Sequence, residues 1–245
     1  MKVICIVQAR VGSSRLPGKV LKVICGKTVL QHVAERLRRV KNIDELIIAT
    51  TELDADDQII DECLKLNIKY FRGSEKNVLS RYYLAAKENQ ADIVVRVTSD
   101  CPLIDPKTVE KIIDCYLTNH NIYDYVSNTI DRTFPRGLDA EVFSFASLQR
   151  SFISASKEYE REHVTPYIYQ HLDEFKIFQY KNKIDYSDFR WTLDTEEDFQ
   201  VIRIIYEALY EKKQEFDFAD ILDFVQKNEY INAINKDIRQ KKLGE

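Results

Sequence analysis

Four short apolar runs alternating with amphipathic stretches constrain this chain more than any other feature. Val3 to Val7, Leu46 to Ala49, Ile68 to Phe71 and Ile93 to Val97 read as buried strands. Between them, Val29 to Val40, Asp54 to Leu66, Val78 to Asn89 and Pro106 to Leu117 carry helical spacing. A strand–helix alternation of this length predicts a mainly parallel sheet covered on both faces. The rhythm changes from about Tyr123. Strands are expected at Asp131 to Phe134 and Ala140 to Phe145 around the turn Pro135-Arg136-Gly137, at Phe175 to Tyr180 and at Phe189 to Leu193. Helices are expected near Leu148 to Ser154, Glu196 to Tyr210 and Phe218 to Val225, and Lys236 to Glu245 reads as a solvated tail. The whole of 1–245 reads as one domain, with an inserted segment at about 128–182.

The loop after the first strand is where chemistry is expected. Gln8-Ala9-Arg10-Val11-Gly12-Ser13-Ser14-Arg15-Leu16-Pro17-Gly18-Lys19 holds two glycines, two serines and three fixed cations. Such a loop sits at the carboxyl end of a sheet, where open α/β folds bind ligands. Glycines let backbone N–H groups come close to an anion. Arg10, Arg15 and Lys19 suit a polyanion such as a nucleoside triphosphate; the alternative is an ordinary solvated basic patch. The loop is neither GxGxxG nor a Walker motif, since Gly12 and Gly18 are too far apart and Val20 follows Lys19.

Two carboxylates end strands facing the same crevice: Asp100 in RVTSDCPLID and Asp194 in FRWTLDTEEDF. Together they suit Mg²⁺, which takes one or two carboxylates plus phosphates and waters. The alternatives are a turn carboxylate for Asp100 and a helix N-cap for Asp194. With net charge −4 there is no footprint for nucleic-acid binding. Five scattered cysteines without a CxxC pair argue for a reducing cytoplasm rather than a disulfide framework or zinc site. No signal-peptide layout is present, and no apolar stretch nears the roughly 20 residues that span a bilayer.

QARVGSSRLPGK, RVTSDCPLID and FRWTLDTEEDF together resemble the CMP-sugar synthetase-like cytidylyltransferases, and most of all the spore-coat polysaccharide biosynthesis group. Wider relatives activate 3-deoxy-manno-octulosonic acid and neuraminic acid. The resemblance implies a Rossmann-like three-layer α/β/α nucleotide-diphospho-sugar transferase fold, with the insertion serving dimerisation or the acceptor. It implies CTP as donor, held by Gln8, Ala9, Arg10, Gly12, Ser13, Ser14, Arg15, Lys19, Gly73, Ser74, Arg81, Thr98 and Asp100. Arg81 matches an arginine at cytosine's polar edge; an exposed helix arginine is the alternative. Catalysis falls to Arg10, Arg15, Lys19, Asp100 and Asp194, with Mg²⁺ on the two aspartates. Asp139, Glu141, Arg161 and His163 lie where relatives bind the acceptor, a small anionic sugar or phosphorylated compound, although charges so spaced also describe a solvated helix start. A homodimer is implied, and the Tyr-rich stretch from Tyr159 to Tyr169 suits its interface. Guanylyl transfer, a nucleotide-sugar-dependent glycosyltransferase and an inactive nucleotide-binding scaffold are the competing readings.

Overall fold

The structure is a computed structural model that describes residues 1–241 and 243. Its strands, in chain order, are β1 (Val3–Gln8), β2 (Val23–Ile24), β3 (Lys27–Thr28), β4 (Glu45–Thr51), β5 (Lys69–Gly73), β6 (Ile93–Thr98), β7 (Tyr125–Ser127), β8 (Glu141–Ser144) and β9 (Ile177–Gln179). The helices are α1 (Val29–Leu37), α2 (Asp57–Lys65), α3 (Val78–Glu88), α4 (Pro106–Asn119), α5 (Phe145–Ser154), α6 (Glu158–His163), α7 (Pro166–Gln170), α8 (Glu196–Leu209), α9 (Phe218–Lys227) and α10 (Tyr230–Asn235).

Seven strands form one sheet in the order β5-β4-β1-β6-β8-β7-β9, and β2 and β3 make a separate small hairpin. β5, β4, β1 and β6 run parallel; β8 is antiparallel to both of its neighbours. The chain leaves β1 first toward β4 and later returns to pair β6 on β1's other side. That reversal opens a crevice beyond the ends of β1 and β6, which finish level at the Gln8–Thr98 pair.

Side chains alternate between the two faces of the sheet, as strand geometry requires. Val3, Cys5, Val7, Val95 and Val97 pack under α1 and α4. Ile4, Ile6, Ile47 and Val94 pack under α3 and α5. The outcome is the three-layer α/β/α arrangement expected. A third apolar cluster, built on Trp191, Leu193, α8, α9 and α10, lies beside the sheet. Each aliphatic side chain buried in these layers contributes about 1.5–3 kcal/mol.

Three expectations are corrected. Asp131 to Phe134 is loop; β8's hairpin partner is the shorter, fully buried β7. The turn itself is present, with Leu138 N–H donating to the Pro135 carbonyl at 3.2 Å. Phe189 to Leu193 makes only one isolated bridge, Arg136 to Arg190, because its aromatic side chains are buried against loops and α9 rather than by a strand ladder. The described part of the tail is not simply solvated: Arg190 donates to the Gln240 side chain at 2.7 Å. The rest of that tail, Lys242, Gly244 and Glu245, lies outside the described residues.

Candidate active site

A cleft of about 790 Å³ opens at the crevice, lined from one end by the loop after β1 and from the other by the segment around β8 and α6. The opening loop is closed on itself by the Gly18 N–H, which donates to the Val11 carbonyl at 3.0 Å. Gly18 adopts φ +69 and caps the short 3₁₀ turn Lys19–Leu21. Buried Val20 anchors this turn and directs Lys19 inward. Gly12 makes no comparable demand: a Cβ there would meet nothing. Asp56 ties the loop down, accepting from the Val11 N–H at 2.7 Å and from the Thr51 hydroxyl.

Lys19 joins the front of the chain to its far end. Its ammonium lies 3.1 Å from Asp100 Oδ2, 2.9 Å from Asp194 Oδ1 and 2.7 Å from the Leu193 carbonyl. Burial alone would lower the Lys19 pKa; the two carboxylates outweigh burial and hold it above the usual lysine value. Burial pushes Asp100 upward, but Lys19 and the Thr98 hydroxyl more than offset it, leaving its carboxyl below the usual aspartate value. The two aspartate loops are also stitched together, since the Leu193 N–H donates to the Asp100 carbonyl at 2.8 Å.

Asp194 is the most heavily supported side chain in the cleft. Arg15 and Arg190 reach its Oδ2 at 3.0 and 2.9 Å. Behind it, fully buried Asp198 accepts from the Asp194 and Thr195 N–H groups, grips Arg190 in bidentate fashion and receives Asn235 at 2.8 Å. The N-cap of α8 is Thr195, with Asp198 completing a capping box, so Asp194 is released from the capping role.

Arg81, on α3, is buried rather than exposed, and two of its guanidinium nitrogens, Nε and Nη1, have no hydrogen-bond partner among the described residues. Burial holds its pKa below the usual arginine value. Gly73 allows this placement, because a Cβ there would lie 2.8 Å from Arg81 Cγ. A buried guanidinium with free donors on a cleft wall is poised for a ligand oxygen or ring nitrogen.

The cleft thus gathers Gln8, Ala9, Arg10, Ser13, Ser14, Arg15, Lys19, Arg81, Thr98, Asp100, Asp139, Glu141, His163 and Asp194. It leaves out Gly12, Gly73, Ser74 and Arg161. Ser74 instead accepts from the Asn77 N–H beside the start of α3. Arg161 is exposed and donates to the Ala155 carbonyl, so its expected place at the acceptor is corrected. Asp139 and Glu141 line the cleft but are committed: Asp139 to a bidentate pair with Arg132, Glu141 to Arg96 and the Tyr125 hydroxyl. Burial lowers the His163 pKa, which favours the neutral imidazole. Arg10 is exposed, 3.4 Å from Glu75. Within the Tyr159 to Tyr169 stretch, Tyr167 and Tyr169 pack inside the chain, against Phe175 and Tyr125.

The sequence pattern does not single out Asp56, Arg96, Arg190 or Asp198 as site residues. Arg96, a lone charge within an apolar strand, and Asp198, three residues after Thr195, carried a readable signal.

Comparison with known proteins accords with this geometry. A solved cytidylyltransferase structure from Leptospira borgpetersenii superposes with a TM-score of 0.91 at 35% identity, covering 99% of this chain and all of that one. The spore coat polysaccharide biosynthesis protein SpsF of Bacillus subtilis is 32% identical over 217 residues, 86% of this chain and 88% of its own. An uncharacterised Methanocaldococcus jannaschii protein is 39% identical across 100% of this chain and 99% of its own. The family model described as cytidylyltransferase matches residues 4–238. With that match spanning nearly every element that builds the cleft, the chain belongs to the cytidylyltransferase family.

Proposed function

We propose that the chain transfers CMP from CTP to a hydroxyl of a small acidic sugar or phosphorylated acceptor, releasing pyrophosphate, in the synthesis of a surface polysaccharide or related glycan. The observation that carries this reading is a convergence of charges from distant parts of the chain: Lys19 bridges Asp100 and Asp194 at 3.1 and 2.9 Å, and Arg15 meets Asp194 at 3.0 Å. Phosphoryl-type transfer needs positioned charge more than covalent chemistry. Arg10, Arg15 and Lys19 would neutralise the departing pyrophosphate, and Arg81 would meet the cytosine edge with its free donors.

Mg²⁺ is proposed as the cofactor. Asp100 Oδ2 and Asp194 Oδ1 point at a common centre now shared with the Lys19 ammonium. Among the described residues no group of three or more His, Cys, Asp or Glu side chains is arranged to hold a metal. Two hard oxygen ligands completed by substrate phosphates and water fit Mg²⁺, which rarely takes an all-protein cage. When bound there, it supplies Lewis-acid polarisation of the α-phosphate and a lowered pKa for the acceptor hydroxyl.

We further propose a cytoplasmic homodimer. The free thiols suit a reducing compartment, no described helix is long and apolar enough to cross a membrane, and Ile153 and Leu172 stand exposed beside the Tyr-rich segment. Pyrophosphate release tests the reaction: CTP with 3-deoxy-manno-octulosonate or glycerol 3-phosphate as acceptor probes, against GTP, UTP and ATP. Release with CTP and an acidic acceptor supports the proposal; release only with another nucleotide overturns it. Light scattering tests the dimer, which a monomer at all concentrations would exclude.

A further inference from the structure

In the acceptor half of the cleft most arginines are already engaged by the chain itself. Arg132 is taken by Asp139 and Arg96 by Glu141, and Arg161 faces away. Arg136 lines the cleft, and among the described residues its guanidinium makes no hydrogen bond or ion pair. It also borders an adjoining recess of about 250 Å³ shared with Arg190 and Gln240, so it forms part of the wall between the two.

Its backbone is fixed on both sides. The Arg136 N–H donates to the Phe189 carbonyl at 3.0 Å, and the Trp191 N–H donates to the Arg136 carbonyl at 2.7 Å. Gly137 follows at φ +107, where a Cβ would strike the Trp191 backbone at 2.5 Å. The root of Arg136 is therefore clamped beside the extended segment that leads into Asp194. Burial first, and then repulsion from Arg132, hold the Arg136 pKa below the usual arginine value, with Asp139 and Asp194 offsetting this in part. A half-buried guanidinium, fixed at its base and without a partner, lacks an anion.

We infer that Arg136 recognises the anionic group of the acceptor, and so sets the preference for acidic acceptors. Its planar fork matches a carboxylate or a phosphate through two parallel N–H donors. The inference rests on the nucleotidyl-transfer reading above. It also reassigns acceptor recognition from the four residues that the sequence suggested.

The test compares wild type, R136A, R136Q and R136K with CTP and two matched acceptor pairs: 3-deoxy-manno-octulosonate against its carboxamide, and glycerol 3-phosphate against glycerol. In wild type, losing the anion should raise acceptor KM about 10- to 100-fold in one pair, the worth of a charge-assisted contact. That pair identifies the anion. R136A and R136Q should show the high KM for both members of the pair, with kcat moving less than KM and the KM for CTP unchanged. R136K, keeping charge without the fork, should fall between. An unchanged melting midpoint and CTP-induced shift certify each variant as folded, R136Q serving where R136A is not. An R136A or R136Q enzyme that keeps the wild-type anion preference overturns the inference and leaves cytidylyl transfer standing. Wild type that binds CTP but turns over none of the four overturns the acceptor reading together with the inference. Wild type that does not bind CTP overturns the functional reading itself.

Discussion

Lys19 and Asp194 stand 175 residues apart in the chain and meet at 2.9 Å. Asp100 completes the contact from a third loop. Losing one positioned charge in a water-poor site costs on the order of 3 kcal/mol, or about a hundredfold in rate. Lys19→Met should therefore lower pyrophosphate release about a hundredfold or more, and Asp100→Asn likewise. Turnover within threefold of wild type would remove Lys19 from the site.

The same contact fixes a pH signature. Asp100's pKa is depressed from 3.8, so its contribution to stability is present above that value and is lost as pH falls through its folded pKa. Lys19's is raised from 10.5, so its contribution is full below that value and is lost as pH rises through its folded pKa. The gap in urea midpoint between wild type and Lys19→Met should thus be flat from about pH 5 to 9 and close toward both extremes. A gap that swings between those limits contradicts the pairing.

Arg81 is a case where removing a residue should help the empty protein. Its buried donors lack partners among the described residues, and an uncompensated buried charge is costly. Arg81→Met should keep or raise the melting midpoint of the ligand-free chain while the stabilisation by CTP shrinks, with affinity falling about 10- to 100-fold. A lower midpoint with an intact CTP shift would mark Arg81 as merely structural.

Gly137→Ala should be severe for a single methyl. The φ of +107 and the 2.5 Å approach to the Trp191 backbone leave no room for a Cβ, and backbone cannot swing aside as a side chain can. The cost is about 2–4 kcal/mol, read as a lower denaturant midpoint at unchanged slope.

Asp198→Ala should cost about 3–5 kcal/mol, because it removes the bidentate partner of Arg190 and the buried acceptor of the Asp194 and Thr195 N–H groups and of the Asn235 amide. Activity should fall too, since Asp198 orients the Asp194 backbone. Chemical denaturation and pyrophosphate release together check this; a near-wild-type midpoint contradicts it.

Much of this architecture could be read from residues, and the exceptions have physical causes. Runs such as Val3 to Val7 are legible because a strand buried on both faces needs apolar side chains throughout. Helix starts leave a signal in Asn77 and Asp105, which cap α3 and α4, whereas at α8 the cap is Thr195 and not Asp194, the candidate the sequence offers. Phe189 to Leu193 misled because burial between helices and loops selects the same aromatics as a strand does. β7 was missed because three residues carry too little period. The clustering of Arg10, Arg15 and Lys19 at one end of the cleft is legible because all three lie on the single loop after β1. The acceptor end was not, because whether Asp139, Glu141 or Arg136 is free depends on partners that only folding brings beside them.

The account is tested most directly by pyrophosphate release from CTP in the presence of Mg²⁺ and an acidic acceptor, in wild type and in Asp194→Asn. It predicts release that is specific to CTP, requires Mg²⁺ and falls about a hundredfold or more in the variant. Equal release by Asp194→Asn, or release that ignores Mg²⁺, would contradict it.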